Sequence, residues 1–278
     1  MPAAEAVPTG SGWSAGLHMG FRAGPGKTVL AERKRHGPLA VQRPFYPEGE
    51  VCHVYLLHPP GGVVGGDRLH IDSVSAAGSL ALITTPGATK FYRSGGELAR
   101  QQQSLQVGQG ASLEWLPQEN IFFPGARVAL HTDIDLHPEA RLAWWEIQCL
   151  GRPVIGEQFD QGSLDTGLAI RRGGVPLLLE RLRIDSRSRQ RRSVLDGAAV
   201  FATAVFSQAG PEQVEQLRDL MTDADGARCG ITLVEDLLVV RYVGGSTEQA
   251  RRLFVDVWKA VREPLLQRPP SVPRIWNT

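Results

Sequence analysis

Histidine and aspartate alternate with other residue types over residues 131–137. In a β-strand, His131, Asp133, Asp135 and His137 would project from one face and the intervening residues from the other. Two imidazoles and two carboxylates are suitable ligands for a borderline divalent metal ion. Neighbours along a single strand rarely close a coordination shell, so a solvated polar face is the favoured interpretation. A weak surface metal site is the alternative.

Three glutamates stand in unusually apolar stretches. Glu119 precedes Asn-Ile-Phe-Phe, Glu146 follows two tryptophans, and Glu180 follows three leucines. A carboxylate is costly to bury unless it is paired, hydrated or bound to a metal ion. Each of the three, taken alone, is expected to face solvent from its own strand. Together they raise a second interpretation, an internal hydrated polar path.

No arrangement in the sequence is typical of a catalytic centre. Cys52, Cys149 and Cys229 are far apart and form no CxxC, and no GxSxG is present. The sequence therefore predicts neither a disulfide framework nor a zinc cluster, and it assigns no catalytic residue. The chain is expected to be a protein-binding protein and not an enzyme. One enzymatic alternative stays open, a β-sheet enzyme with Glu119 and Glu146 as paired carboxylates across one cleft.

Composition and charge limit the partners. The 278 residues are 42% hydrophobic and 21% charged, which is ordinary for a folded globular protein. A formal net charge of +1 predicts neither a nucleic-acid nor a membrane partner, and no apolar run approaches a membrane span. Six arginines between Arg181 and Arg192 indicate a solvated edge or a docking patch for an acidic protein. Unpatterned cysteines and a start without signal-peptide features favour the cytoplasm.

The pattern of apolar residues favours β-structure over most of the chain. Frequent glycine and proline divide it into short segments whose apolar residues alternate or run continuously. We predict a mostly β fold of packed sheets, with a two-layer or coil-like β body. The predicted strands cover residues 51–58, 80–85, 104–107, 111–116, 127–136, 140–150, 167–171, 175–184 and 198–207.

The last part of the chain has helical spacing in two places. Residues 211–222 form one predicted helix, and residues 246–267 form another that begins with a capping box of Ser246 and Gln249. Pro264 is expected to end or bend the second helix. With a hairpin predicted around Glu235 and Asp236, these elements make a small C-terminal α+β lobe carrying two helices.

We expect three regions along the chain. Residues 1–36 are a partly disordered lead-in and first strand, residues 37–207 the β body, and residues 208–278 the α+β lobe, integral to the same domain.

Several sequence blocks resemble one protein family. They read GPLAVQRPFYPEG at 37–49, LLHPPGGVVGGD at 56–67, TTPGATKFYRS at 84–94, LEWLPQENIFFPGA at 113–126 and PRIWNT at 273–278, with a further match at 144–159. In this order they are similar to the urease accessory protein UreD family, called UreH in some organisms. The resemblance runs from about Gly37 to the last residue, and no block in it is a catalytic signature.

The resemblance implies a non-enzymatic scaffold in urease maturation. Members of the family bridge the urease apoprotein to UreF, which holds the GTPase UreG, in a larger and possibly dimeric complex. Nickel is then in transit through an internal tunnel, without a tightly bound cofactor. The implied tunnel candidates are Glu119, Glu146 and Glu180, with Asp67 and Lys90 as weaker ones. Transit needs replaceable contacts, because tight ligands would trap the ion.

Overall fold

The computed structural model describes residues 12–221 and 226–277, and most of these residues lie in β-strands. The strands in chain order are β1 (Ser14–Gly24), β2 (Lys27–His36), β3 (Ala40–Val41), β4 (Cys52–Leu57), β5 (Arg68–Ser75), β6 (Leu80–Thr84), β7 (Thr89–Phe91), β8 (Ala99–Val107), β9 (Ser112–Trp115), β10 (Asn120–Phe122), β11 (Arg127–Leu136), β12 (Arg141–Arg152), β13 (Glu157–Gln158), β14 (Ser163–Arg172), β15 (Val175–Asp185), β16 (Val200–Phe206), β17 (Arg228–Val234) and β18 (Leu237–Gly244). Two α-helices follow the same chain order, α1 (Pro211–Leu217) and α2 (Thr247–Leu266). The predicted mostly β fold with packed sheets and two helices is confirmed.

The strands form two sheets, and the chain passes repeatedly from one to the other. The first sheet has the order β15-β14-β11-β8-β5-β1-β2. The main path of the second sheet is β17-β18-β16-β12-β9-β6-β4-β3. Successive strands β5, β8, β11 and β14 are parallel to one another, and so are β4, β6, β9 and β12. The result is a solenoid-like stack of coils, each with one strand in either sheet.

The second sheet is covered on both faces, which explains its continuous apolar sequence. In β12 the side chains of Leu142, Trp144 and Leu150 belong to the core between the two sheets. Their neighbours Trp145 and Ile147 belong to a second core beneath the helices. A strand buried on both faces loses the alternation of a half-exposed strand. The order of layers is therefore first sheet, second sheet, helices.

Helix α2 packs on the outer face of the second sheet. Its apolar stripe is buried there, including Phe254, Val257 and Trp258. The hydroxyl of Ser246 accepts the backbone N–H of Gln249 at 3.2 Å, which confirms the predicted N-terminal cap. Pro264 does not end the helix, which continues to Leu266. Among the described residues, neither helix is long and apolar enough to cross a lipid bilayer.

A buried arginine ties α2 to the rest of the molecule. The guanidinium of Arg262 donates to the carboxylate of Glu114 on β9 at 2.8 Å and to that of Glu48 at 2.6 and 2.8 Å. It also donates to the carbonyl of Pro269, beyond the helix. His53 contacts Glu48 at 2.6 Å. Burial opposes ionisation of Glu48, but the hydrogen bonds from His53 and Arg262 outweigh it and lower the pKa of that carboxyl.

The structure matches most of the predicted elements and adds a hairpin near the start. All nine predicted strands are present, although β8 begins at Ala99 and not at residue 104. The hairpin around Glu235 and both predicted helices are present as well, but α1 ends at Leu217 and gives way to a 3-10 turn over Arg218–Leu220, and residues 222–225 lie outside the described part. Where a lead-in and one strand were predicted, β1 and β2 form an antiparallel pair. Residues 1–11 of that lead-in lie outside the described residues.

We predict that Arg262→Met lowers the free energy of unfolding by about 3–5 kcal/mol, because it leaves two buried carboxylates without their cation. Arg252→Met is the matched control, since Arg252 makes an exposed pair with Glu248 one helical turn away. That control should cost less than about 1 kcal/mol. Urea denaturation followed by tryptophan fluorescence measures both. Equal losses in the two variants would contradict the assigned role of Arg262.

Candidate functional site: polar cavities between the sheets

One carboxylate lies inside the core between the two sheets. Glu146 is in the middle of β12, on the same face as Trp144 and Gln148, and it is only 6% exposed. Every residue of β12 between Leu142 and Gly151 is buried. The alternation of the strand therefore aims Glu146 at the first sheet, where solvent does not compensate its charge.

Both sheets supply hydrogen bonds to this carboxylate. Oε1 of Glu146 accepts the hydroxyl of Thr132 on β11 at 2.9 Å and the side-chain amide of Gln103 on β8 at 3.0 Å. Oε2 accepts the side-chain amide of Gln148 at 2.9 Å. Thr132 and Gln103 are register partners on neighbouring parallel strands, so one row of the first sheet provides both donors. The amide of Asn120 on β10 extends the network by donating to Gln148 at 3.1 Å.

The environment of Glu146 changes its protonation. Burial disfavours the ionised form and raises its pKa from the ordinary 4.5 to about 7, although the three donated hydrogen bonds act in the opposite direction. The group therefore exchanges a proton near neutral pH while remaining inside the protein. A carboxyl poised in this way can receive a cation in exchange for its proton.

Two cavities meet at Glu146. The first has a volume of about 220 Å³ and extends between the sheets to the loop at His58 and to Lys90 on β7. Its polar lining contains His58, Thr85, Lys90, Gln101, Gln103, Asn120 and Glu146. The second has a volume of about 430 Å³ and extends toward β15 and β18. Its polar lining contains Glu146, Gln148, Thr166, Glu180, Arg181, Thr203 and Arg241.

The strand register explains the direction of the second cavity. On the second sheet, Glu146 pairs with Thr203 and Thr203 pairs with Arg241 on the next strand. Neighbouring strands are roughly 4.8 Å apart, so this row spans roughly 10 Å across the strands. On the first sheet, the corresponding row runs from Thr132 through Leu168 to Glu180. The two rows face each other and end together at the ion pair of Glu180 and Arg241.

The structure brings some of the predicted polar residues together and separates others. Glu146 and Glu180 line the second cavity, and Lys90 lines the first. Glu119 lines a different cavity of about 230 Å³, beside Arg251 and the C-terminal segment. Burial raises the pKa of the Cys149 thiol to about 12, and the negative charge of Glu119 is the second cause of that rise.

Asp67 holds the glycine-rich loop that precedes β5. Its carboxylate accepts the backbone N–H of Val64 at 2.9 Å and that of Trp13 at 3.2 Å. The side chain is 1% exposed and is not part of the lining of either cavity around Glu146. Gly66 adopts a positive φ of 91° and packs against Gly12. The carboxylate thus fixes a tight turn, and its negative charge lies close enough to His58 to act on that imidazole.

Of the alternating histidines and aspartates, His131, Asp133 and Asp135 lie on β11, on the outer face of the first sheet, and His137 follows the strand. His131, Asp133 and Asp135 are at least partly exposed, as predicted for a polar face. Asp133 is paired with Arg171 at 3.1 Å, and His131 is 3.6 Å from Asp165. The backbone N–H of Glu139 donates to His137. Over residues 12–221 and 226–277, no group of three or more His, Cys, Asp or Glu side chains is arranged to hold a metal ion.

The sequence did not indicate His58 or Arg241 as members of the site. His58 follows β4 and has its Nε2 atom buried without a hydrogen-bond partner. Burial lowers its pKa, although Asp67 acts in the opposite direction, and a neutral imidazole can ligate a metal ion. Arg241 lies on β18 and reaches across to the first sheet. Both positions depend on how distant strands align, which no local pattern specifies.

The fold and the site define a class of protein, a two-sheet coil with polar cavities between its sheets. Residues 14–277 match the family model described as UreD urease accessory protein. The chain is 49% identical to the urease accessory protein UreD of Alcanivorax borkumensis over 96% of this chain and 93% of that protein. It is 47% identical to the UreD protein of Pseudomonas putida strain W619, with coverages of 96% and 95%. A similar protein from Alkalilimnicola ehrlichii is 44% identical, with coverages of 100% and 96%.

The chain belongs to the UreD urease accessory protein family. The resemblance found in the sequence blocks is confirmed. The family match starts at residue 14, before the first of those blocks, and therefore includes the β1–β2 hairpin.

We predict that Glu146→Gln gains stability relative to the parent as the pH rises. At low pH the carboxyl is protonated in both the folded and the unfolded chain. Above pH 4.5 it ionises in the unfolded chain but stays protonated in the folded chain until about pH 7, so the parent loses stability across that window. The difference in free energy of unfolding between variant and parent should grow by about 2–3 kcal/mol from pH 5 to pH 8.

Urea denaturation of both proteins at the two pH values measures this difference. Comparing variant with parent at each pH cancels the titration of all other groups. A difference that is the same at pH 5 and pH 8 would show that the folded protein does not hold Glu146 protonated.

Proposed function

We propose that this protein is a non-enzymatic scaffold that assists nickel insertion into urease, with nickel as cargo passing along the cavities around Glu146. Family membership supports a role in urease maturation. The observation that carries the proposal is that Glu146 lines both cavities, so polar groups follow one another from the first cavity past Glu146 into the second. The proposed partners are UreF, UreG through UreF, and the urease apoprotein, in a cytoplasmic complex.

The chemistry of the lining suits a cation in transit. Over half of the polar groups along the route are neutral amides and hydroxyls, which offer oxygen ligands that exchange readily. Glu146 supplies one carboxylate that is available only after it loses its proton. A dense cluster of anionic ligands would hold nickel and stop its movement. The route therefore favours passage of the ion over storage.

His58 is a candidate nitrogen ligand at the first cavity. Its imidazole is biased toward the neutral form by burial, and its Nε2 atom has no protein partner. Nickel prefers imidazole over water as a ligand, so His58 would receive the ion near the loop end of the route. Lys90 lies in the same lining and carries a positive charge, which would limit how long a cation stays there.

The enzymatic alternative has less support from the geometry. It requires Glu119 and Glu146 to face one cleft as an acid and a base. Glu119 lines the cavity beside Arg251, whereas Glu146 lines the two cavities between the sheets. Glu180, which does share a cavity with Glu146, is engaged by the guanidinium of Arg241. The scaffold proposal requires no acid–base pair at these positions.

We predict that Glu146→Leu lowers urease activation at least tenfold in cells that co-express this chain, UreF, UreG and the urease proteins, because an apolar side chain replaces the one buried carboxylate where the cavities meet. Glu119→Leu is the matched control, an identical substitution outside the route, and should retain most of the activation. Urease activity and nickel content per urease active site are the measurements.

Co-purification with UreF tests the scaffold separately from the route. Both variants should still be recovered with UreF, since neither substitution alters the exposed surface greatly. Loss of UreF binding in the unsubstituted chain would refute the scaffold. Full nickel content with Glu146→Leu would refute the route and leave the scaffold in place.

A further inference from the structure

A bidentate ion pair lies at the outer end of the second cavity. The guanidinium of Arg241 on β18 donates to both carboxylate oxygens of Glu180 on β15, one of them at 3.1 Å. β15 is the edge strand of the first sheet, and β18 belongs to the second. The pair therefore bridges the opening between the sheets. Both side chains also line the cavity that extends inward to Glu146.

This arrangement has two effects on a cation at the opening. The guanidinium is a fixed positive charge at the mouth, and arginine stays protonated at any physiological pH. Because this charge neutralises the carboxylate of Glu180, a divalent cation approaching through the mouth meets no net negative charge that would attract it. Both oxygens of the Glu180 carboxylate are also occupied by Arg241, so they are not free to ligate the ion. A neutral molecule of the same size meets neither obstacle.

We propose that the Arg241–Glu180 pair is an electrostatic gate that excludes cations from the second cavity until the guanidinium is drawn away. This inference rests on the proposed nickel route, whose regulation it describes. Opening requires a competing anion for Arg241, and the chemistry that fits is a carboxylate on an acidic partner surface. Once Arg241 turns toward that carboxylate, Glu180 becomes a free ligand at the mouth. The exit thus opens where the partner is bound.

The exposure of the Arg241–Glu180 pair makes it easy to break. The side chain of Arg241 is 49% exposed and that of Glu180 is 28% exposed, so water and salt weaken their attraction. The register places Leu168 directly beside Glu180 and Thr203 directly beside Arg241. These two residues line the cavity directly behind the pair. A change in the side-chain position of Arg241 would therefore expose the cavity, and the strands would not have to move.

A second ion pair between the sheets provides a control. Arg172 at the end of β14 contacts Asp236, in the turn between β17 and β18, at 2.8 Å. The side chains of Arg172 and Asp236 are 21% and 28% exposed, and neither residue lines the second cavity. If such pairs only join the sheets, Arg172→Gln and Arg241→Gln should behave alike.

The test measures entry of charged and neutral reagents into the cavity of the full-length protein. Leu168→Cys places a thiol in the cavity wall beside Glu180. Its rate of modification is measured with cationic aminoethyl and neutral methyl methanethiosulfonate, and the ratio of the two rates cancels changes in thiol reactivity. Thr203→Cys repeats the measurement from the opposite sheet. Modification of Cys229, which is partly exposed on β17, serves as an internal reference.

Arg241→Gln should raise the cationic-to-neutral rate ratio roughly tenfold, while Arg172→Gln leaves it unchanged. Glu180→Gln removes the partner but keeps the guanidinium at the mouth, so the ratio should stay low. About 0.5 M NaCl should raise the ratio in the parent and lower it in Arg241→Gln, where salt screens the attraction between the unpaired Glu180 carboxylate and the cationic reagent. An unchanged ratio in Arg241→Gln, or equal increases in Arg172→Gln or Glu180→Gln, would overturn the gate. Urease activation that does not change when Glu146 is substituted would instead refute the nickel route. The rate ratio does not depend on nickel transport, so the two proposals can fail separately.

Discussion

The carboxylate of Glu146 can be buried only because two sheets deliver hydrogen-bond donors to the same point. Thr132 and Gln103 come from adjacent strands of the first sheet, and Gln148 comes from the strand that carries Glu146. A shift of one residue in the register of β8 or β11 would turn a donor to the outer face and leave the carboxylate unsatisfied. The polar centre of the molecule thus depends on the alignment of the parallel coils, and the cavities depend on the polar centre, since apolar side chains would otherwise fill the space.

The same alignment sets where the cavities lead. Each row of register partners crosses the strands at right angles, so residues at one level form a band that runs outward from the interior. The band through Thr203 ends at Arg241, and the band through Leu168 ends at Glu180. The pairs β12–β16, β16–β18 and β14–β15 along these bands are antiparallel, and their registers carry the level of Glu146 outward from the parallel coils. Polar residues far apart in the chain become neighbours in this way.

Much of the fold could be predicted from local patterns. The alternation over residues 127–136 and the long apolar runs elsewhere gave strands whose ends differ from the observed ones by few residues in most cases. The β1–β2 hairpin was not indicated, although Ala15, Leu17, Met19 and Phe21 alternate as core residues of β1. Glycines at 16 and 20 interrupt the contrast between apolar and polar positions, and β2 is a mostly exposed edge strand with little apolar signal.

The candidate site was only partly predictable. An unusual carboxylate in an apolar strand identified Glu146, because the cost of burial is a local property of the sequence. The same reasoning selected Glu119, which lies in a separate cavity, since a local pattern cannot distinguish two buried regions. Asp67 was selected through its motif, and its contacts show a role in holding the loop. Arg241 and His58 gave no local signal. Arg241 belongs to the site because it pairs with Glu180, 61 positions earlier in the chain, and His58 because it lines the first cavity.

The first sheet ends in two strands that differ in composition from the strands between them. The outermost residues of β2 include Arg33, Lys34 and Arg35, all exposed, and β15 begins with Val175 and Pro176. Open strand edges invite the addition of further strands from other molecules, and repeated coils would otherwise offer an ideal template. A run of like charges repels a second copy at one edge, and a residue without an N–H interrupts pairing at the other. Both edge strands of the first sheet therefore carry features that discourage pairing with a further strand.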